Sequence, residues 1–381
     1  SVFESNKLED TVSSLFHEAF GESLIVNRRA GGNISLHVGE KPLWEGQREG
    51  EGKYYDSVKA LPRLDLQGDG MRSFASILLD TFTSEYSITL IDEPEAFLHP
   101  PQARILGKML AKHNTKERQV FIATHSTDFI NGLIDADNDN VIVIHINRDG
   151  NINHMNTLGS DKIKGLWDKP ILRYSNILNG LFHEKVIICE SEYDCLFYRA
   201  ILDAIYESDG QTAPDIMFTH CNGKGSLKFA VEALAALKVP VVAIADFDIL
   251  DQKKDIESLV SAFGLPWSHI SQDMQKIFDC FNANDGKNRE YIKQHGKHAL
   301  EGGAPAAYYN VDRILRSIGL FIVPVGEIEC FDTTITPKKS QWVTAILERG
   351  NLGSDDRLED ARQFIKAIVD FKPQLHLDPR A

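Results

Sequence analysis

Ser87–Pro101 reads SITLIDEPEAFLHPP, and the rest of the chain is placed from it. The run Ile88-Thr89-Leu90-Ile91 is apolar and short, the pattern of a buried strand. Asp92 and Glu93 follow at once, and Pro94 blocks any simple continuation of the strand. A strand that delivers two acids to its C-terminal edge is how nucleotide-hydrolysing α/β folds hold Mg²⁺ and orient a water. The same pattern also ends ordinary buried strands in a capped turn, so the flanking segments have to decide.

Upstream, residues 6–20 have helical apolar spacing. Residues 24–26 and 34–36 flank Ala30-Gly31-Gly32-Asn33 and predict a hairpin. Residues 44–55 read as an exposed loop. Gly68, Gly70, Met71 and Arg72 precede an apolar helix over 74–82. Glycines there either free backbone N–H groups for an anion or simply cap the helix. Downstream, a helix is expected from Pro100 to about His113 and a second strand over 119–123. That strand ends in Thr124-His125-Ser126, with Ser126 and Asp128 placed to cap the next helix. His125 is placed either to reach a γ-phosphate or to serve the structure. Residues 141–146 read as a third strand, residues 147–151 as a turn, and 160–167 and 171–178 as helices.

A second αβ unit begins near Leu181. Lys185–Cys189 predicts a buried strand ending in Glu190, and a helix from Ser191 carries Asp194 on its first turn. Another strand covers 216–218. Asn222-Gly223-Lys224-Gly225 opens a helix; it is either a phosphate grip or a solvated turn, and it lacks the GxxxxGK[ST] spacing. Residues 240–245 form a strand ending in Asp246-Phe247-Asp248. A mostly helical stretch over 252–319 leads to a last strand and Gly326-Glu327-Ile328-Glu329. Three strands thus end in acids, and a parallel sheet gathers strand C-termini on one edge. In extended geometry Asp246 and Asp248 point the same way. Converging carboxylates repel and need cations, and hard oxygen ligands suit Mg²⁺ or Mn²⁺. Paired ions of this kind generate hydroxide and stabilise the leaving oxygen of a phosphodiester. Lys338 and Lys339, just beyond, are placed to neutralise the phosphate.

The 381 residues allow two domains with proper cores, and the net charge of −14 excludes a surface that is basic all over. Five cysteines show no CxxC pair and no zinc spacing, as in reduced, cytoplasmic chains. No run approaches a membrane span, none reads as a signal peptide, and the first residue is Ser rather than Met.

The motifs resemble a known arrangement. Leu90–Pro100 looks like the Walker B and D-loop region of ABC-type ATPases of the RecF and SMC kind. Gln67–Ser73 resembles their signature motif with its Ser-Gly-Gly altered, and Ala123–Ser126 resembles their switch-histidine loop. Glu190 with Asp194, Asp246 with Asp248 and Glu327 with Glu329 are similar to the acids of a Toprim domain. An ATPase followed by Toprim is the arrangement of the OLD (overcoming lysogenization defect) nucleases. The resemblance implies an α/β chain with a partial ABC ATPase lobe over 1–180. A Toprim domain over 181–381 follows, with a helical insertion at about 252–319.

It also implies a Mg²⁺- or Mn²⁺-dependent DNA endonuclease regulated by ATP. Homo-oligomerisation through the ATPase lobe, a role in defence against phage and a defence partner protein belong to the same expectation. Asp92 would hold the nucleotide's Mg²⁺, Glu93 would be the hydrolytic base and His125 the γ-phosphate sensor. Gly68, Gly70 and Arg72 would contact nucleotide held by another protomer. Glu190, Asp194, Asp246, Asp248, Glu327 and Glu329 would form the metal shell, with Glu190 a general base. No Walker A loop is present, so the expected N-terminal part lies upstream and the chain as given should hydrolyse ATP poorly. A different class, an ATP-gated sensor or scaffold with idle Toprim acids, and a nuclease acting on RNA are the rival readings.

Overall fold

The computed structural model describes residues 6–28, 34–43, 52–83, 86–115, 117–158, 176–221, 223–236, 238–283, 289–336 and 339–372. It separates into two compact units, residues 1–143 with 157–167, and residues 144–156 with 168–381.

In the first unit α1 (Asn6–Phe20) leads into an antiparallel pair, β1 (Ser23–Asn27) and β2 (Ser35–Gly39). The expected hairpin tip, 30–33, lies outside the described residues. The expected loop over 44–55 is helical at its end, since α2 spans Lys53–Ala60. α3 (Asp69–Thr83) begins before the apolar run, taking Gly70 and Arg72 into its first turn. Asp69 complements the helix N-terminus there and pairs with Arg72 three residues on.

β3 (Ile88–Asp92), α4 (Pro100–His113), β4 (Gln119–Ala123) and α5 (Thr127–Asp135) follow. Ser126 caps α5, its Oγ accepting the Phe129 N–H at 3.2 Å. β3 and β4 pair in parallel. They are not the fully buried strands the apolar runs suggested. Ile91 and Ile122 pack on the core, while Ile88, Leu90 and Phe121 on the other face are exposed. The core gathers Phe16, Phe74, Leu78, Leu106 and Phe129. α4 and α5 touch backbone to backbone: a Cβ at Gly132 would collide with the Arg104 carbonyl, and one at Gly107 with that of Phe129.

β5 (Val143–Asp149) pairs with β6 (Ile152–Leu158) in a two-stranded sheet of its own. The strand expected over 141–146 is present as β5 and takes β6 as its partner. β6 escapes sequence reading because Asn153 and Asn156 have low β-propensity. The two helices expected over 160–178 fall almost wholly outside the described residues.

The second unit holds a four-stranded sheet of β7 (Lys185–Cys189), β8 (Ile216–His220), β9 (Val241–Ala245) and β10 (Leu320–Ile322), with every pairing parallel. Its helices are α6 (Glu192–Ser208), α7 (Lys224–Ala236), α8 (Lys253–Ala262), α9 (Ser271–Asn282), α10 (Arg289–His295), α11 (Ala304–Ile318), α12 (Ser340–Arg349) and α13 (Glu359–Asp370). Both faces are covered, as continuous apolar strands require. Ile187, Ile244 and Phe321 pack against α6, α12 and α13. Val186, Ile188, Ala243 and Ala245 are equally buried on the side served by α7.

Trp342 of α12 is fully buried in this core, and its Nε1–H donates to the Asp332 carbonyl at 3.1 Å. Trp342→Ala removes the ring and leaves that carbonyl unpaired. It is expected to destabilise the chain by about 3–5 kcal/mol, read as a lowered urea midpoint of the second unit.

Candidate functional site

The strand order β10-β9-β7-β8 means that the chain runs from β7 outward to β8 and then returns to β9 on the other side of β7. In open α/β sheets such a reversal marks the crevice at the strands' C-terminal ends where ligands bind. Glu190 follows β7 and Asp246 follows β9, so the two flank the reversal. They meet directly, the Asp246 backbone N–H donating to Glu190 Oε1 at 3.1 Å.

Asp194 stands at the third position of α6. Its Oδ2 accepts the Ser191 N–H at 2.9 Å, while Ser191 Oγ accepts the Asp194 N–H at 3.3 Å, a reciprocal capping box. Burial, together with the charges of Asp246 and Glu329, pushes the Asp194 carboxyl up to about 7 against the hydrogen bonds from Ser191. The edge is thus crowded with like charge. Glu327 and Glu329 lie on the turn beyond β10. Glu329 Oε1 accepts the Lys339 backbone N–H at 2.8 Å, so Lys339 meets the acids through its main chain. Lys338 lies outside the described residues.

The lysine that stands among the acids is Lys293. Its Nζ lies 3.3 Å from Asp246 Oδ2 and 3.2 Å from Glu327 Oε2. Burial acts to lower its pKa, but the charges of Asp246 and Glu327 and its hydrogen bonds to both outweigh that and hold it raised. Arg289, four residues earlier on α10, donates from Nε to Asp248 Oδ2 at 2.7 Å. Neither residue was found from the sequence. Their i,i+4 spacing puts both on one helix face but names no partner for either.

Asp248 corrects the expectation most clearly. Residues 247–251 form a 3₁₀ helix rather than a strand, so the two-residue alternation ends at Asp246. Asp248 is fully buried and ion-paired with Arg289. The glycine loop before α7 sits at the same edge as Glu190, with the Gly223 N–H donating to the Glu190 carbonyl at 2.9 Å. Asn222 lies outside the described residues.

Among the described residues, no three His, Cys, Asp or Glu side chains converge into a ready-made ion cage. The donor chemistry nevertheless suits a hard divalent cation: Glu190, Asp246 and Glu327 offer only oxygen donors at one sheet edge, beside a raised Asp194. The place between Asp246 and Glu327 holds an ammonium instead. The free thiols Cys189, Cys195 and Cys221 are buried, and Cys221 is pushed up to about 12 by burial and then by Glu190, so it stays a thiol.

In the first unit the structure brings Glu93 and His125 together, with His125 Nδ1 3.3 Å from Glu93 Oε1. Glu93 has φ +45°, a turn conformation that carries the chain away from β3. Asp92 ends β3 and is exposed. Glu95, which the sequence reading passed over, is buried and organises the facing loop. Its Oε1 accepts from Thr124 Oγ1 at 2.6 Å and from the His125 N–H at 3.2 Å. Gly70 lets α3 approach this turn, since a Cβ there would meet the Phe97 carbonyl at 2.6 Å. Gly68 faces open space, and Arg72 is turned back onto Asp69.

Two family models match the chain. An AAA domain model, described with the AbiEii toxin of a type IV toxin–antitoxin system, matches residues 54–131. The Toprim domain model of overcoming lysogenization defect protein-like chains matches residues 181–248. In these two matches and their order the chain is similar to OLD-type proteins. It is 24% identical to the Old nuclease of Escherichia phage P2 over 316 residues, 77% of this chain and 50% of that protein. It is 22% identical to Endonuclease GajA of Bacillus cereus (strain HuB5-5) over 258 residues, 60% of this chain and 36% of that protein. It therefore spans half or less of the length of these relatives. A solved structure from work on ATP-driven dimerization of SMC ATPases is 14% identical, covers 44% of this chain and 92% of its own, and has a TM-score of 0.29. No described helix is long and apolar enough to cross a membrane.

Two expectations follow for the Toprim domain. The folded state keeps a proton on Asp194 from about 3.8, its ordinary value, up to about 7, where the unfolded chain has lost it. Stability in metal-free buffer therefore falls as pH rises through that window. Asp194→Asn is expected to melt higher than the parent at pH 8 and close to it at pH 4, in thermal unfolding with EDTA present. Gly326 has φ +123° and its Cβ position is filled by the Lys293 carbonyl. Gly326→Ala is expected to cost about 1–3 kcal/mol from backbone strain alone, measured by urea unfolding.

Proposed function

We propose that the Toprim domain hydrolyses phosphodiester bonds of DNA at the C-terminal edge of its sheet, with Mg²⁺ or Mn²⁺ as cofactor. The observation that carries this reading is the meeting of Glu190 and Asp246 at the strand-order reversal, joined at 3.1 Å. A divalent ion held by Glu190, Asp246 and Glu327 would polarise the phosphoryl oxygens and lower the pKa of a bound water. The chain's own residues do the rest. Glu190, fixed by the Asp246 N–H, presents a carboxylate oxygen at the crevice as proton acceptor for the attacking water. Asp194, at the same edge, would supply a further oxygen donor once ionised. Asp248 is assigned to holding α10 through Arg289. Lys339 offers a backbone N–H to Glu329, and its side chain is not assigned to the phosphate.

The relatives' names, Old nuclease and Endonuclease GajA, support phosphodiester chemistry. Regulation by ATP at Asp92, Glu93 and His125 and homo-oligomerisation through the ATPase lobe belong to the same proposal. So do a cytoplasmic location, a domain boundary near residue 180 and a role in defence against phage with a partner protein. The Glu93–His125 pair at 3.3 Å supports the first of these, as an acid and a base placed at the ends of adjacent parallel strands.

Supercoiled plasmid incubated with the protein and Mn²⁺ is expected to be nicked or linearised, and Asp246→Ala is expected to abolish this. Equal cleavage by both proteins contradicts the assignment. Cleavage of labelled structured RNA but not DNA moves the substrate class, and no cleavage of either favours the ATP-gated scaffold.

A further inference from the structure

The place between Asp246 and Glu327, where the reading above puts a divalent ion, is taken by a side chain of the protein itself. Lys293 Nζ contacts both carboxylates, at 3.3 and 3.2 Å, and all three side chains are largely withdrawn from solvent. Its position is set by backbone contacts. A Cβ at Gly326 would overlap the Lys293 carbonyl, and one at Gly296, just past α10, would collide with the Pro324–Gly326 backbone. The Lys297 N–H donates to the Pro324 carbonyl at 2.9 Å, and the Phe247 N–H to the Gly326 carbonyl at 2.8 Å. Cys330 Sγ donates to the carbonyls of Lys293 and Gln294, at 3.5 Å each. Arg289 on the same helix anchors to buried Asp248. One short helix therefore carries one cation that locks it in place and a second that enters the acidic edge.

We propose that Lys293 is a tethered place-holder that competes with the divalent cation for Asp246 and Glu327, so that metal loading requires its ammonium to leave. The proposal rests on the reading of this edge as a divalent-cation site. An ammonium neutralises one carboxylate of the pair, whereas a divalent ion neutralises both and accepts more oxygen ligands. The exchange is therefore driven by cation concentration. Without the ion, Lys293 keeps the acids from repelling one another apart. With the ion present, the displaced ammonium stays tethered to α10 beside the same edge.

The test uses Mn²⁺ alone as probe, by isothermal titration calorimetry on the whole chain. The parent, Lys293→Met, Lys293→Gln and Asp246→Asn are compared. Both Lys293 variants are expected to bind Mn²⁺ at least tenfold tighter than the parent, and Asp246→Asn to lose binding. In EDTA the Lys293 variants are expected to melt lower than the parent and to gain more on adding Mn²⁺. Unchanged or weaker affinity in both Lys293 variants, with binding still lost in Asp246→Asn, overturns the place-holder and leaves the cation site standing. No binding by the parent or the Lys293 variants overturns both. A measurement on the unaltered protein is independent of how the variants fold. Acetic anhydride labelling read by mass spectrometry is expected to rise at Lys293 when Mn²⁺ is added, and unchanged labelling contradicts displacement.

Discussion

Carboxylates gathered at one sheet edge repel one another unless a cation stands among them or one of them keeps its proton. The second unit is arranged around that constraint. Its strand order brings Glu190 and Asp246 to the same crevice, and the turn beyond β10 adds Glu327. The crowding is felt at Asp194, whose carboxyl is raised by burial and by the charges of Asp246 and Glu329. Its relief comes from α10, which supplies Lys293 to Asp246 and Glu327 and Arg289 to Asp248. Two glycines are then fixed by geometry rather than by chemistry, because only Gly296 and Gly326 let the α10 backbone come this close to the turn.

The same logic separates acids that serve the fold from acids that face the crevice. Asp248 is completely buried and held by Arg289, and a partner removed from such a pair leaves an uncompensated charge inside the protein. Asp194 is intermediate. It closes a capping box at the start of α6, yet its neighbours are the acids of the crevice. In the first unit Glu95 is the buried acid that shapes a loop, and Glu93 is the exposed one that meets His125.

Much of this was legible from the sequence. The apolar runs at 119–123, 185–189 and 240–245 matched strands closely, because short β-rich runs bounded by turn residues have few other uses. The strand-end acids were legible as well, since a parallel sheet gathers its C-terminal ends by construction. Other features were not. The alternation at Asp246 and Asp248 looked like a strand, but the chain enters a 3₁₀ helix there, and nothing local to 246–248 signals Arg289, 41 residues on. Lys293 was hidden for the same reason. Its role is set by the approach of α10 to the 324–327 turn, a tertiary contact that no window of sequence contains. The exposed outer face of β3 and β4 was hidden too, because an apolar run reports that a strand can be covered and not what covers it.

The central claim is that the edge between β7 and β9 is a divalent-cation site whose place is kept by Lys293. Crystals soaked in Mn²⁺ and measured at the manganese edge test it most directly. The account predicts an anomalous peak bounded by Glu190, Asp246 and Glu327, with the Lys293 ammonium withdrawn from both carboxylates. Anomalous maps with no peak at that edge, or with a peak there while Lys293 still bridges Asp246 and Glu327, would contradict it.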